Sequence, residues 1–376
     1  MKIITISDFP GFRTGYGRVI RMINRGLIDA GHTVIGVAQG LQTTVCVYDD
    51  YSVYDYRELQ TLINIFNPDI VFLLGDLYRY QNIQMINKNF RLVGYIPVDG
   101  EYIPYNYRNL INKMDKAIAF TEFGKNEILK YTQPQEIVVV PHGVDLNAFT
   151  ILPHKNVLKK AHNLPEDSFV VGFVGRNQQR KNIPALMEAF KKFSEGKDNT
   201  YLYLHTPTVE VGWNILELSV YYELKGKVLT TAGYTPNTGL DDEGMNIIYN
   251  LFDVFVLPSM GEGFGLPILE AQACGVYTLA TDWSACRDLL PPEQRIRIGA
   301  KFTIPHWNVV HALIDVDDLA EKIDKAYRNF DLYNKPTEYR ERVSEYSWEK
   351  IIPKLIYEIT AFSKPMEEPY PYYAEV

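Results

Sequence analysis

The chain has 376 residues, which is enough for two domains with separate hydrophobic cores. Its hydrophobic share of 46% and charged share of 22% are ordinary for a soluble globular protein and argue against wholesale disorder. With 38 Lys and Arg against 46 Asp and Glu, the net charge of −8 argues against nucleic-acid binding through the overall field, although a local basic pocket stays open.

Cysteine usage and hydropathy exclude several further classes. Cys46, Cys274 and Cys286 show neither paired spacing nor a Cys-x-x-Cys motif, so no disulfide framework or zinc site is predicted. The apolar run at the N-terminus is too short for a signal peptide, and no later run is long enough to span a bilayer. We therefore expect a cytoplasmic protein without a transmembrane segment.

Short β-branched runs alternate with amphipathic segments along the first half of the chain. Strands are predicted at residues 2–7, 33–38, 69–74, 91–96, 116–120 and 136–140, and helices at 18–30, 59–66 and 122–131. Strands and helices that alternate at this cadence predict a parallel sheet wrapped by helices.

The same cadence restarts after a polar interruption at residues 153–167. Strands are predicted at 169–175, 201–205, 228–231, 254–257 and 276–280, and helices at 184–193, 245–251, 317–330 and 347–362. The chain is thus predicted to be an α/β protein with two doubly wound domains, 1–152 and 153–346, followed by a C-terminal helix and a loose tail at 347–376.

The loop after the predicted strand at 254–257 contains the densest group of candidate functional residues. Gly263 and Gly265 allow a close backbone approach to a ligand, and Pro267 suits the first turn of a helix, whose free N–H groups bind anions. Glu262 and Glu270 flank this segment. A tight turn with a solvated Glu262 would explain a lone Gly-x-Gly, but two flanking carboxylates at a strand end favour a ligand site.

A second polar loop, residues 175–182, also lies between a strand and a helix. Arg176 and Lys181 are expected to converge on negative charge. The spacing is similar to that of a P-loop, but Arg180 replaces the second glycine and Asn182 replaces Ser or Thr, so ATP hydrolysis by that route is not expected. The alternative is a polar turn in which Asn182 caps the following helix.

A third loop follows the first predicted strand and opens the first helix. It contains Gly15, Tyr16 and Gly17, a Gly-x-Gly that lacks the third glycine of the dinucleotide-binding fingerprint. We interpret it as a second glycine cradle for phosphate.

Several motifs together resemble one enzyme family. They are Gly175-Arg176 with Lys181-Asn182, the run from Glu262 to Glu270-Ala-Gln-Ala-Cys-Gly275, Val140-Pro-His-Gly-Val-Asp145, Asp253-Val-Phe-Val-Leu-Pro-Ser259 and Ser347-Trp-Glu349. They resemble the retaining glycosyltransferases of the GT-B fold that carry two glutamates separated by seven residues, and the resemblance covers nearly the whole chain. It implies two facing Rossmann-like domains with a cleft between them, and a last helix that returns to the first domain.

The resemblance also implies an activity and a set of site residues. It implies transfer of a sugar from a nucleotide-diphosphate sugar, with a UDP- or GDP-sugar expected, to a glycan, lipid or protein acceptor bound by the N-terminal domain. The implied catalytic residues are Arg176, Lys181 and Glu262, and the implied donor-binding residues are Gly15, Tyr16, Gly17, Asp99, Tyr234, Gly263, Phe264, Gly265, Leu266 and Glu270. Arg176 and Lys181 would grip the diphosphate, Glu270 the ribose, and Asp99 stands where many members have a histidine.

The family usually works without a metal, and no cofactor is expected. The Asp315-Val-Asp-Asp318 motif is interpreted as a helix cap rather than a metal site. Two other functions remain open: a non-catalytic nucleotide- or glycan-binding module on the same fold, and a sugar-nucleotide epimerase. The epimerase would need acids that the sequence does not identify.

Overall fold

The computed structural model describes residues 1–85, 89–231, 233 and 239–363. The chain forms two compact units. The first unit contains residues 1–97, 103–141 and the chain from 349 onwards, and the second contains 98–102 and 142–348. The predicted tail and Tyr234 lie outside the described residues. That 1–152 and 153–346 are separate folding domains, followed by 347–376, stays a prediction.

The first unit is built on one sheet whose eight strands have the order β3-β4-β2-β1-β5-β6-β7-β8. The strands are β1 Lys2–Ser7, β2 Thr33–Ala38, β3 Val45–Tyr48, β4 Tyr51–Asp55, β5 Ile70–Leu74, β6 Arg91–Ile96, β7 Lys116–Ala119 and β8 Ile137–Val139, and the helices between them are α1 Gly15–Asp29, α2 Leu59–Phe66, α3 Tyr105–Asn112 and α4 Glu122–Tyr131. All neighbours are parallel except β3 and β4. The central strands are continuous apolar runs because helices cover both faces of a parallel sheet.

The second unit has a six-stranded parallel sheet in the order β11-β10-β9-β12-β13-β14 and a separate antiparallel hairpin, β15–β16. Its strands are β9 Phe169–Val174, β10 Thr200–His205, β11 Val228–Thr230, β12 Val254–Leu257, β13 Tyr277–Thr281, β14 Arg295–Ile296, β15 Ile298–Thr303 and β16 Val310–Ile314. Its helices are α5 Lys155–Ala161, α6 Ile183–Ser194, α7 Ile215–Tyr221, α8 Asp242–Asn250, α9 Leu266–Ala273, α10 Cys286–Leu289, α11 Val316–Arg328, α12 Phe330–Tyr333 and α13 Pro336–Val343.

The strand order of the second unit reverses between β9 and β12. From β9 the chain first moves outwards through β10 and β11 and then returns to β12 on the other side of β9. The loops that leave the carboxyl ends of β9 and β12 therefore diverge at a topological switch point, where open α/β sheets bind ligands. The Phe252 ring, just before β12, packs directly against the backbone of Gly172 in β9. A Cβ at position 172 would lie 2.1 Å from this ring, so the contact requires glycine.

Most predicted elements agree with the structure to within a few residues, and the α/β prediction is confirmed. Helix α1 begins at Gly15 rather than at Arg18, because the Thr14 hydroxyl accepts the Gly17 N–H and caps the helix earlier. Helix α5 lies within the stretch predicted as an interruption, and α3, α7, α13 and the two antiparallel hairpins were not predicted.

The last helix, α14 Trp348–Thr360, belongs to the first unit from Glu349 onwards. Lys116 in β7 holds its end: the Nζ lies 3.0 Å from Glu358 Oε2 and 2.5 Å from the Ala361 carbonyl oxygen. The same ammonium lies 3.3 Å from Glu136 Oε2, and its side chain is buried. None of the described helices is both long and apolar enough to cross a membrane.

Replacing Lys116 with methionine should lower the free energy of unfolding by about 3 kcal/mol, because two carboxylates lose the cation that compensates their partial burial. Urea denaturation measures the loss, and the control is Lys354→Met on the exposed face of the same helix. Equal stability of the two variants would contradict the anchoring role.

Candidate functional site

The two polar loops that the sequence singled out in the second unit meet at the switch point. Loop 175–182 follows β9 and loop 258–265 follows the adjacent strand β12. The Met260 N–H donates to the Arg180 carbonyl oxygen at 2.7 Å, and the Ala312 N–H donates to the Met260 carbonyl oxygen at 3.0 Å. This backbone pairing places the side chains of both loops in one cluster.

Glu262 is the centre of that cluster. One carboxylate oxygen accepts hydrogen bonds from Lys181 Nζ and, at 2.6 Å, from the Ser259 hydroxyl. The other accepts from Arg180 Nη1 at 2.8 Å, and the same nitrogen donates to the Gly261 carbonyl oxygen at 3.1 Å. Lys181 and Glu262 are buried, so the carboxylate has two cations and a hydroxyl in place of water.

The charges of this cluster are fixed by their neighbours. Burial alone would raise the pKa of Glu262, but Arg180, Lys181 and the hydrogen bond from Ser259 lower it to about 2. Burial lowers the pKa of Lys181, and Glu262 opposes that change. Arg180, Lys181 and Glu262 together carry one unit of positive charge, which favours an anionic ligand beside them. The nearby Asp99 carboxylate reduces this effect.

Backbone groups beside the cluster also suit an anion. Gly265 precedes α9 with φ 103°, a left-handed conformation that favours glycine. Leu266 begins α9 and Pro267 lies in its first turn, as predicted. The N-terminus of this helix, the positive end of its dipole, follows the positively charged cluster directly in the chain. Pro267 has no N–H, and the Ile268 N–H donates to the Gly265 carbonyl oxygen at 2.9 Å.

Glu270 lies further along α9 and is buried. The hydroxyl of Tyr249, a fully buried residue of α8, donates to Glu270 Oε2 at 2.6 Å. Tyr249 therefore fixes the orientation of this carboxylate.

Asp99 belongs to the second unit, because the short segment 98–102 packs there. A Cβ on Gly261 would lie 2.0 Å from the Asp99 carbonyl oxygen, so only glycine permits this approach. The Asp99 carboxylate lies 3.6 Å from His311 Nε2 in β16. Burial opposes ionisation of Asp99, but His311 and Arg180 lower the pKa of the carboxyl below its ordinary value.

Arg176 pairs with a different carboxylate from the one that Arg180 and Lys181 contact. Its Nε donates to Glu210 Oε1 at 2.7 Å, and its Nη2 donates to the same oxygen. Arg176 therefore pairs with Glu210, which was not predicted, whereas Arg180, noted in the sequence only as a departure from the P-loop pattern, contacts Glu262 directly.

The glycine-rich loop of the first unit forms the N-terminus of α1. The Tyr16 hydroxyl donates to Asp76 Oδ1 at 3.2 Å. A Cβ on Gly17 would lie 2.5 Å from the Phe12 carbonyl oxygen, so tight packing alone explains why this position is glycine. The assignment of Gly15, Tyr16 and Gly17 to phosphate binding stays a prediction.

Two other sequence interpretations, the helix caps at Asn182 and Asp315, can be compared with the structure. Asn182 occupies the N-cap position of α6 with φ 52°, but its side chain makes no capping hydrogen bond. Asp315 does cap α11, accepting the N–H groups of Asp317 and Asp318 at 3.0 Å. His142 packs edge-on against Phe264, and burial lowers the pKa of its imidazole to about 3. Within the described ranges no three His, Cys, Asp or Glu side chains are grouped so that they could hold a metal ion.

The described part of the chain thus brings Lys181, Glu262 and the loop 263–266 together, with Asp99 beside them. The partners that sequence reasoning missed are Arg180, Ser259, Glu210, Tyr249 and His311. The one available signal was three basic residues in loop 175–182; nothing in the sequence marks the other partners.

Residues 154–346, just over half of the chain, match the family described as glycosyl transferases group 1. The chain belongs to this family. The resemblance to a glycosyltransferase family, inferred from the motifs, is thereby confirmed as family membership. A curated relative, the serotype-specific mannosyltransferase WbdA of Escherichia coli, is 27% identical over 231 residues, a match that covers 58% of this chain and 26% of the relative. The chain therefore spans only about a quarter of that larger glycosyltransferase.

Solved structures of glycosyltransferases have the same fold. Sucrose-phosphate synthase from Thermosynechococcus elongatus superposes with a TM-score of 0.74 at 18% identity, covering 94% of this chain and 97% of that one. The Anabaena protein HepE in complex with UDP-glucose superposes with a TM-score of 0.70 at 15% identity, covering 94% and 98%. The GT-B fold is thereby confirmed for this member of the group 1 family.

Proposed function

We propose that the protein is a glycosyltransferase that moves a sugar from a nucleotide-diphosphate sugar to an acceptor hydroxyl with retention of anomeric configuration. The observation that carries the proposal is the cluster that Arg180 forms with the buried Lys181 and Glu262 at the switch point of the second unit. It lies within the segment that matches the glycosyl transferases group 1 family.

The cluster suits the bond that must break. When the bond between the sugar C1 and the diphosphate oxygen cleaves, the electron pair leaves with the diphosphate. The acceptor hydroxyl oxygen forms the new C1–O bond, and its proton passes to the departing diphosphate or to water. Negative charge therefore grows on the diphosphate in the transition state. Fixed cations and oriented N–H groups at that position stabilise the transition state more than the ground state.

The proposed roles follow the charges. Lys181 and Arg176 bind the diphosphate, and Arg180 adds to the positive field while holding Glu262. The N–H groups of residues 263–266 bind phosphate or sugar oxygens beside Glu262, and Glu270, oriented by Tyr249, accepts the ribose hydroxyls. Asp99 contributes to the sugar contact in place of the family's histidine. Contributions of Gly15, Tyr16, Gly17 and Tyr234 to the donor site stay predictions.

Two of the comparisons bear on the donor. HepE was solved with UDP-glucose, and the E. coli relative is named a mannosyltransferase. We propose a UDP- or GDP-sugar donor and metal-independent transfer, with a glycan, lipid or protein as acceptor.

A thermal-shift panel with UDP, GDP and ADP tests the donor proposal, because a ligand that binds only the folded state raises the Tm by mass action. We expect one nucleotide at 1 mM to raise the Tm, equally with Mg²⁺ and with EDTA. At a concentration of 100 Kd the stabilisation is about 2.7 kcal/mol. The anomeric configuration of the product, measured by NMR with the matching donor sugar, then tests retention.

The outcomes separate the candidate functions. A nucleotide shift without turnover of any sugar conjugate would favour a binding module. Interconversion of the donor sugar without transfer would favour an epimerase. The absence of any shift would overturn the proposed donor site.

A further inference from the structure

A second carboxylate, Glu210, holds the first residues of loop 175–182. Its Oε1 accepts from Nε of Arg176 at 2.7 Å and from Nη2 of the same guanidinium, and its Oε2 accepts the backbone N–H of Asn177 at 2.9 Å. Glu210 lies in the loop between β10 and α7, 34 residues further along the chain. Both of its oxygens are therefore occupied by the same short stretch of the loop that follows β9.

The loop that carries Glu210 is itself fixed to Asn177. The Asn177 side-chain amide donates to the carbonyl oxygens of Pro207 and Trp213 at 3.1 and 2.6 Å, and its Oδ1 accepts the Trp213 N–H at 2.9 Å. A Cβ on Gly212 would lie 2.2 Å from that oxygen. Glu210 is thus held between two anchored ends and is not a freely rotating surface carboxylate.

The two partners of this ion pair differ in exposure. The Glu210 side chain is 8% exposed, whereas the Arg176 side chain is 49% exposed. The carboxylate lies on the inner side of the pair, and the guanidinium faces outwards.

The contacts leave one edge of the guanidinium available. Arginine has five N–H donors, and Glu210 takes the edge formed by Nε and Nη2. No residue in the described part of the chain accepts from Nη1 of Arg176. The edge formed by Nη1 and Nη2 is the one that can bind a second oxyanion in bidentate geometry.

We propose that Glu210 is a positioning residue for donor binding: it orients Arg176 so that the free edge of the guanidinium meets the diphosphate. This inference rests on the proposed function. Arginine binds phosphate well only when its planar fork is correctly oriented, and an exposed arginine without Glu210 would lose part of its binding energy to side-chain ordering.

The alternative is that Glu210 occupies the phosphate position and competes with the donor. Displacing it would leave an almost buried carboxylate without its cation, which is strongly unfavourable. The two roles predict opposite signs: removing the charge weakens nucleotide binding if Glu210 positions Arg176, and strengthens it if Glu210 competes.

Isothermal titration calorimetry of UDP, GDP and ADP against wild type, Glu210→Gln, Arg176→Ala and the double variant tests the inference. We expect Glu210→Gln to raise the Kd of the bound nucleotide about tenfold, and to change it less than twofold when Arg176 is already alanine. Glu223→Gln is the control, because it removes the charge from an exposed ion pair with Lys191 in the same unit. Glu210→Asp keeps the charge but withdraws it by one methylene, and it replaces Glu210→Gln if that variant does not fold.

Each outcome has a separate meaning. Unchanged or tighter binding by Glu210→Gln, with wild type binding normally, overturns the positioning role alone. A tenfold loss that persists in the Arg176→Ala background also overturns it, because Glu210 would then act through the loop and not through the guanidinium. If wild type binds none of the three nucleotides, the proposed function fails as well.

Discussion

Replacing Lys181 with methionine is expected to reduce kcat for transfer by about 100- to 1,000-fold, the usual cost of removing a fixed group that stabilises developing charge. Methionine keeps most of the buried stem and removes only the ammonium. The rate loss should exceed the change in donor KM, because the diphosphate carries more negative charge in the transition state than in the ground state.

The same substitution should lower stability. Among the described residues, the buried Glu262 carboxylate would keep the partly exposed Arg180 and Ser259 as partners, at a cost of about 3 kcal/mol. Rates must therefore be measured well below the Tm of the variant. Donor hydrolysis, with water as acceptor, gives a rate before the natural acceptor is identified.

Lys192→Met is the matched control, since Lys192 lies on the exposed face of α6 and pairs with Asp317 at 2.6 Å. It should keep the wild-type kcat. If Lys181→Met in its folded state retained more than half of the wild-type kcat, the assignment of Lys181 to the departing diphosphate would be wrong.

Acid should unfold the protein partly through Glu262. Its pKa is about 2 in the folded protein against an ordinary value of 4.5. A depressed pKa gives stability that is fully present above pH 4.5 and is lost as the pH falls towards 2. The difference corresponds to about 3 kcal/mol, of which most should disappear between pH 5 and pH 2.5.

The measurement compares urea denaturation of wild type and Glu262→Gln at several pH values in that range. The variant should be less stable at neutral pH, because two cations lose their shared carboxylate, and the two free energies of unfolding should converge as the pH falls. The exposed carboxylate of Glu188, substituted by glutamine, provides the control. Parallel pH profiles of wild type and Glu262→Gln would refute the assignment.

The arrangement of β9, α6, β12 and α9 could be predicted from the sequence because each rests on local information. Apolar runs of strand length, the helix-start proline at 267 and the glycine at 265 act within a few residues of one another. The prediction that Lys181 and Glu262 belong to one site came from the resemblance to the glycosyltransferase family, and the structure shows that the loops that carry them follow the adjacent strands β9 and β12.

The partners of these residues could not be predicted in the same way. Arg180 meets Glu262 across 82 residues of sequence, and Arg176 meets Glu210 across 34. Arg176 and Arg180 carry the same charge in the same loop, and only the path of the folded loop decides which of them reaches Glu262. The hairpin β15–β16, which carries His311, was not predicted. The sequence of β15 is only weakly apolar, so it lacks the hydrophobic pattern from which the other strands were predicted.

The five residues 98–102 lie in the first half of the sequence but pack with the second unit. Glu101 exchanges backbone hydrogen bonds with Val310 at 3.1 and 2.9 Å, and Asp99 closes on Gly261. A fragment that begins at residue 142 would therefore lack a piece of the second unit. Recombination between relatives, natural or engineered, preserves this contact only if the five residues travel with the second unit, so a chimaera joined at a single crossover point inherits a mismatched pair.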